Sequence, residues 1–279
     1  MWLLIEPTMY DYIRMIPNQT SPRYPYMIKY IFLLLFSTSV FAQNTAPKTV
    51  HVFVALCDNV NQGIVPVPKT LGNGQNPTTN LYWGALYGVK THFKKSKDWT
   101  FIKSIPSENP QILERVLFKH TTTNTYLLAD AYDGKYIKQT TIDFLKASSG
   151  DFSTFIKIDD KSLDFGGKAD LVSYIGHDGL MEFQLDIAIT KDTSSTKDAI
   201  ILACYSKEYF TPYFEKTGAT PLVWTTGLMA PEAYTLKWAL DGWIQEKSDA
   251  EIRELAAQAY HHYQKCGMRG ARNLLVTGF

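Results

Sequence analysis

A three-layer α/β/α sandwich around a mostly parallel sheet is the fold this sequence predicts, and three observations carry it. Short apolar runs rich in β-branched residues recur along the chain, as at Val50-His-Val-Phe-Val-Ala-Leu56, Leu171-Val-Ser-Tyr-Ile175 and Ala199-Ile-Ile-Leu202. Such near-continuous runs suit strands covered on both faces. Segments of helical periodicity lie between them, and strands alternating with helices close into a parallel sheet with helices on both sides. The composition agrees: 45% hydrophobic, 14% aromatic and 20% charged over 279 residues excludes disorder, collagen and a coiled coil. A formal net charge of +1 gives no electrostatic reason to expect nucleic acid or an anionic membrane as partner.

The first 26 residues show no apolar periodicity and read as a leader of doubtful translation. Met27-Ile-Lys29 then precedes Tyr30-Ile-Phe-Leu-Leu-Leu-Phe36-Ser-Thr-Ser-Val-Phe41-Ala42-Gln43. A basic residue, a short apolar core and a small residue at a cleavage point make residues 27–42 a secretory signal peptide. The run is short for a bilayer span, so the alternative, an uncleaved N-terminal anchor, is the one route to a membrane. Residues 43–48 form a short polar tail, and one α/β domain is expected over 49–279. The expected location is periplasmic or extracellular.

From the first strand the elements follow in order. Val50–Leu56 ends in Cys57-Asp58-Asn59 and a Gly/Pro/Asn-rich loop. Asn76-Pro77 reads as a helix start, capped by asparagine with proline in the first turn. The helix would carry Leu81, Trp83, Leu86, Val89 and Phe93, with Gly84 and Gly88 on one face packing closely against the sheet. Trp99–Ile105 is a second strand. Glu114–Lys119 and Thr125–Ala131 flank a Thr/Asn turn and predict a hairpin, with a helix as the alternative for the first arm. Tyr136–Leu145 is helical, and the polar stretch 148–167 is a loop. After the strand Leu171–Ile175, Met181–Ile189 reads as strand-like and Lys191–Lys197 as a loop. The strand Ala199–Cys204, a helix over Glu208–Lys216, a strand over Pro221–Thr226 and a helix over Pro231–Trp243 follow. Ser248-Asp-Ala-Glu251 is a capping-box pattern opening a last helix that ends near Cys266.

Two strand tips carry the chemistry. One strand runs into Gly176-His177-Asp178-Gly179, the other into Ala203-Cys204. The carboxyl ends of neighbouring parallel strands line one crevice, so His177 and Cys204 form a candidate Cys/His pair. At a strand tip near a helix N-terminus the thiol pKa would fall. His177 would take the thiol proton and return it to the leaving amine. Backbone N–H groups around Gly179 would stabilise the oxyanion, and Asp58 or Asn59, at the first strand's tip, would orient the imidazole. The competing readings are a buried small cysteine, a loop histidine, and Asp58 and Asp178 as turn residues that bond their own backbone. Three cysteines in an exported chain leave at least one unpaired thiol, and a Cys57–Cys204 disulfide with Cys266 as bystander is the alternative. His261 and His262 read as surface residues. No Cys-x-x-Cys, His-Glu-x-x-His or Walker pattern occurs, so no metal and no nucleotide cofactor is expected.

At these residues the chain resembles the caspase, gingipain and legumain cysteine peptidases, in which an apolar strand ends in His-Gly and a later one in Ala-Cys. Here the motifs stand as Leu171-Val-Ser-Tyr-Ile-Gly-His177-Asp-Gly179 and Ile200-Ile-Leu-Ala203-Cys204. Asp178 separates the histidine from its glycine, and no basic residue follows Cys204 directly. The resemblance implies a caspase–hemoglobinase-like sandwich, an asparagine such as Asn59 near the histidine, and hydrolysis of peptide bonds in a peptide or protein substrate. Two alternatives stand beside it. One is a secreted binding module that keeps the fold without the chemistry. The other is a different hydrolase or transferase led by Asp58 or Ser206.

Overall fold

The computed structural model describes residues 46–158, 161–191 and 196–279. The leader 1–26, the signal segment 27–42 and the centre of the 191–197 loop lie outside the described residues. In chain order the elements are β1 (Lys48–Ala55), α1 (Val89–Lys95), β2 (Trp99–Ser104), β3 (Ile112–His120), β4 (Thr125–Tyr132), α2 (Ile137–Ser148), β5 (Ser153–Ile158) and β6 (Lys161–Gly166). There follow β7 (Leu171–Ile175), β8 (Asp198–Leu202), α3 (Ser206–Phe214), β9 (Thr220–Thr225), α4 (Ala233–Ile244), α5 (Asp249–Gln264), α6 (Met268–Leu274) and β10 (Leu275–Val276).

Eight strands form one sheet in the order β10-β9-β8-β7-β1-β4-β3-β2. The five central strands, β9 to β4, are parallel. The antiparallel strands β3, β2 and β10 extend the two sides. Strand alternation splits the core into two faces. Val50, Val52 and Val54 pack with Phe93 of α1, Leu236 and Leu240 of α4 and Ala256 of α5. Phe53 and Ala55 pack on the other face with Phe144 of α2 and Phe210 and Phe214 of α3. The hairpin β5–β6 continues that second layer, with Ile156, Leu163 and Phe165 over Leu117 and Leu128. The α/β class and the mostly parallel sheet read from the sequence are therefore present, with helices on both faces.

Four local expectations are corrected. Residues 76–88 are a series of turns, and helix begins only at Val89. The cause is Asn80, fully buried, whose amide accepts from Cys57 N–H (3.1 Å) and donates to the Cys57 carbonyl (2.8 Å). A side chain tied to the end of β1 cannot sit on a regular helix surface. Gly84 and Gly88 are approached by the backbone of Thr78 and Trp83 rather than by the sheet. The stretch 148–167 holds the β5–β6 hairpin, and 181–189 is not a strand but a short 3-10 turn, Gly179–Met181, followed by irregular chain. The helix after Ser248 carries the reciprocal capping box as read, but α6 and β10 follow it.

One polar feature sits in the second layer. Asp130 of β4 accepts from Arg115 of β3 through Nε and Nη2 (both 2.6 Å) and pairs with His51 Nε2 of β1 (3.0 Å). All three side chains are buried. Burial drives the His51 pKa down, against the pull of Asp130, so the ring is neutral near pH 7 and the network is in essence an Arg–Asp pair with a histidine packed on Phe53 at 4.2 Å.

Candidate functional site

The register of the parallel strands sets the site. Ile175 of β7 is paired with Leu202 of β8. His177 and Cys204 each lie two residues beyond that pair, past the ends of the two strands. Ile175 and Leu202 both face the first layer, and His177 and Cys204 follow them in non-strand chain. Both reactive residues line one cavity of about 300 Å³ together with Gly63, Ile64, Val65, Tyr82, Gly176, Met181, Leu228, Met229 and Pro231.

The turn after β8 is tightly made. Tyr205 takes the left-handed conformation (φ 50°), which reverses the chain from strand into α3. Ser206 Oγ donates to the Ile201 carbonyl (2.9 Å), Ser206 N–H donates to Thr225 Oγ1 (3.1 Å), and Thr225 Oγ1 bonds the Ala203 carbonyl. A left-handed non-glycine between strand and helix costs of order 1–3 kcal/mol and persists where its neighbours over-determine it. Ser206 is thereby fully buried and engaged, which removes it as a lead nucleophile.

The Cys204 thiol donates to the Met229 carbonyl (3.6 Å), and its sulfur accepts from Met229 N–H (3.4 Å). It has no hydrogen bond to His177. Burial pushes its pKa up, the Met229 N–H opposes this, and the charge of Asp178 adds to the rise. The expectation of a depressed thiol pKa is overturned: the resting group is a thiol. No disulfide joins Cys57 to Cys204, and all three cysteines are free. Cys57 is buried, and burial raises its pKa to about 11. Cys266 is exposed.

His177 is oriented by a residue the sequence did not single out. Its Nε2 lies 2.5 Å from Glu182 Oε1, and the same oxygen accepts from Gly63 N–H at 2.7 Å. A carboxylate only accepts, so the neutral imidazole carries its proton on Nε2 and keeps Nδ1 as the basic nitrogen. A Cβ at Gly63 would fall 2.3 Å from the Glu182 oxygen, so a larger residue there would displace the carboxylate that holds His177. Gly176 is needed: φ is +156°, and a Cβ would meet Ala55 Cβ and O at 2.9 Å. That close approach to the end of β1 sets the path by which the chain delivers His177.

Asp58 and Asn59 do not orient the histidine. Asp58 accepts from Val60 and Asn61 N–H and from the Asn61 and Gln75 amides, at 2.8–3.1 Å. Burial raises its pKa, but these donors outweigh it and hold the carboxyl below its ordinary value. Asn59 bonds Val67 through both its N–H and its oxygen (2.8 and 3.0 Å). Both residues brace the loop that carries Ile64 and Val65. Gly179 is buried at the start of the 3-10 turn against Phe183, and Gly176 rather than Gly179 faces the cavity. Asp178 caps that turn, accepting from Leu180 N–H at 3.0 Å. His261 Nδ1 accepts from Gly267 N–H, and His262 stacks on Trp238. Among the described residues, no group of three or more His, Cys, Asp or Glu could hold a metal ion, and no helix is long and apolar enough to cross a membrane.

Compared with known proteins, the chain matches no family model, no curated protein and no solved structure.

Proposed function

We propose that this chain is an exported cysteine peptidase with a caspase–hemoglobinase-like sandwich, in which Cys204 is the nucleophile and His177 the base. The observation that carries the reading is that His177 and Cys204 line one cavity, each two residues past a paired position on neighbouring parallel strands. Glu182 completes the arrangement as the group that holds the imidazole. Catalytic hydrogen bonds are commonly unformed before substrate binds, so the Cys204–Met229 contact is the resting state. Export rests on the signal-like segment 27–42.

In the proposed reaction His177 Nδ1 takes the Cys204 proton as the sulfur attacks the peptide carbonyl carbon. Backbone N–H groups of Cys204 and of the turn after His177 are the donors assigned to the oxyanion. Collapse breaks the C–N bond, and the amine leaves with the proton held by His177. Water, deprotonated by the same nitrogen, then cleaves the thioester and restores the thiol.

An inactive binding module is the second reading, and the thiol's engagement with Met229 and its raised pKa favour it. Iodoacetamide labelling of the Cys266→Ser protein from pH 5 to 8 separates the two. A peptidase labels at Cys204, not at buried Cys57, and labels at least about tenfold more slowly in the His177→Ala variant. A Cys204 rate indifferent to that substitution overturns the dyad.

A further inference from the structure

We infer that the cavity beside Cys204 is the pocket for the residue on the acyl side of the cleaved bond (P1), and that it selects an uncharged apolar side chain of leucine to phenylalanine size. The inference rests on the peptidase reading and specifies its substrate.

The lining chemistry carries it. Ile64, Val65, Met181, Leu228 and Met229 supply apolar side chains, and Pro231 closes one side. The polar side chains on the wall are His177, Cys204 and Tyr82, and no Asp, Glu, Lys or Arg lines the cavity. Tyr82 is buried, and burial pushes its hydroxyl pKa up, so it offers no countercharge. Glu182, the carboxylate behind His177, already accepts from His177 and Gly63. A P1 aspartate or arginine would therefore bring its charge against apolar walls with no countercharge, and an unpaired charge pays a large desolvation penalty. The apolar character extends to the mouth, where Val65 and Leu228 are 87% and 70% exposed. At about 300 Å³ the cavity lies at the lower end of the usual range for ligand pockets, which fits one side chain rather than an extended one.

Peptidyl acyloxymethyl ketones that differ only at P1 test this, with the site of attachment mapped by mass spectrometry. The leucine and phenylalanine probes should label Cys204 about 100-fold faster than the aspartate and arginine probes. In Leu228→Asp, at the exposed lip, the arginine probe should gain on the leucine probe by about tenfold. Cys204 labelled fastest by a charged P1, or an unmoved ratio in Leu228→Asp, overturns the pocket assignment and leaves the dyad standing. A Cys204 that no ketone labels, and whose iodoacetamide rate ignores His177, overturns the peptidase reading and the pocket with it.

Discussion

Replacing Asp178 by asparagine should stabilise the protein at alkaline pH and leave it unchanged in acid. The Asp178 side chain is buried, with one oxygen on Leu180 N–H and the other meeting no protein donor. Burial pushes its pKa up to about 7, the Leu180 N–H opposes this, and the charge of Glu182 adds to the rise. Between pH 4 and 7 the folded protein thus holds a proton that the unfolded chain has released, so stability falls as pH rises through that window. The distance from the ordinary 3.8 to about 7, at 1.36 kcal/mol per pH unit, sets a ceiling of about 4 kcal/mol at pH 8. Asparagine keeps the acceptor for Leu180 and carries no charge, so it escapes the penalty. Urea denaturation of both proteins at pH 4.5 and pH 8 reads the effect. The variant should gain about 2 kcal/mol or more on the parent between the two pH values, within that ceiling. An equal stability difference at both, or a variant less stable at pH 8, would refute the argument that Asp178 is held neutral by burial.

Three further outcomes follow from the same geometry. Glu182→Gln keeps the Oε1 acceptor but removes the negative charge beside His177, so peptide hydrolysis should drop roughly ten- to a hundredfold in kcat/KM, while thermal melting moves little. Arg115→Met leaves Asp130 buried without its bidentate partner and should cost about 3–5 kcal/mol in urea denaturation. Burial raises the Asp130 pKa, but the bonds from Arg115 and His51 outweigh it and leave it depressed. Its stabilisation is therefore present above the unfolded value and lost as pH falls through the folded one, and the acid-unfolding midpoint of the Arg115→Met protein should move up. Gly176→Ala places a methyl group 2.9 Å from Ala55 Cβ and O at a backbone angle that disfavours side chains. It should cost about 1–3 kcal/mol and, by displacing His177, lower activity more than stability.

The strand tips were legible because the central strands are apolar runs that stop abruptly, and a run buried on both faces leaves no doubt about its direction into the crevice. Ile175 ends its strand as read, and the second strand stops at Leu202, two residues short of the Cys204 expected to end it. The stretch 76–88 was not legible. Its apolar residues at Leu81, Trp83, Leu86 and Val89 mimic a helix, whereas the fold there is decided by Asn80, whose partner is a backbone unit 23 residues away. The β5–β6 hairpin hid for a related reason: Lys157, Lys161 and Asp164 interrupt a strand pattern that only packing on Leu117 and Leu128 makes worthwhile. Asp58 and Asn59 were given catalytic work on position alone, and their local turn bonds won. Glu182 carried no signal, since it stands in irregular chain and gains its meaning from a contact with Gly63, 119 residues distant.

The most direct test of the account is intact-mass analysis of the protein mixed with a peptide ester and quenched in acid within seconds. A peptidase built on Cys204 predicts a covalent acyl adduct on that residue, absent in Cys204→Ala, persisting longer in His177→Ala if formed there, and followed by turnover of the ester. Hydrolysis that survives Cys204→Ala, or a protein that forms no adduct and turns over no peptide ester, would contradict it.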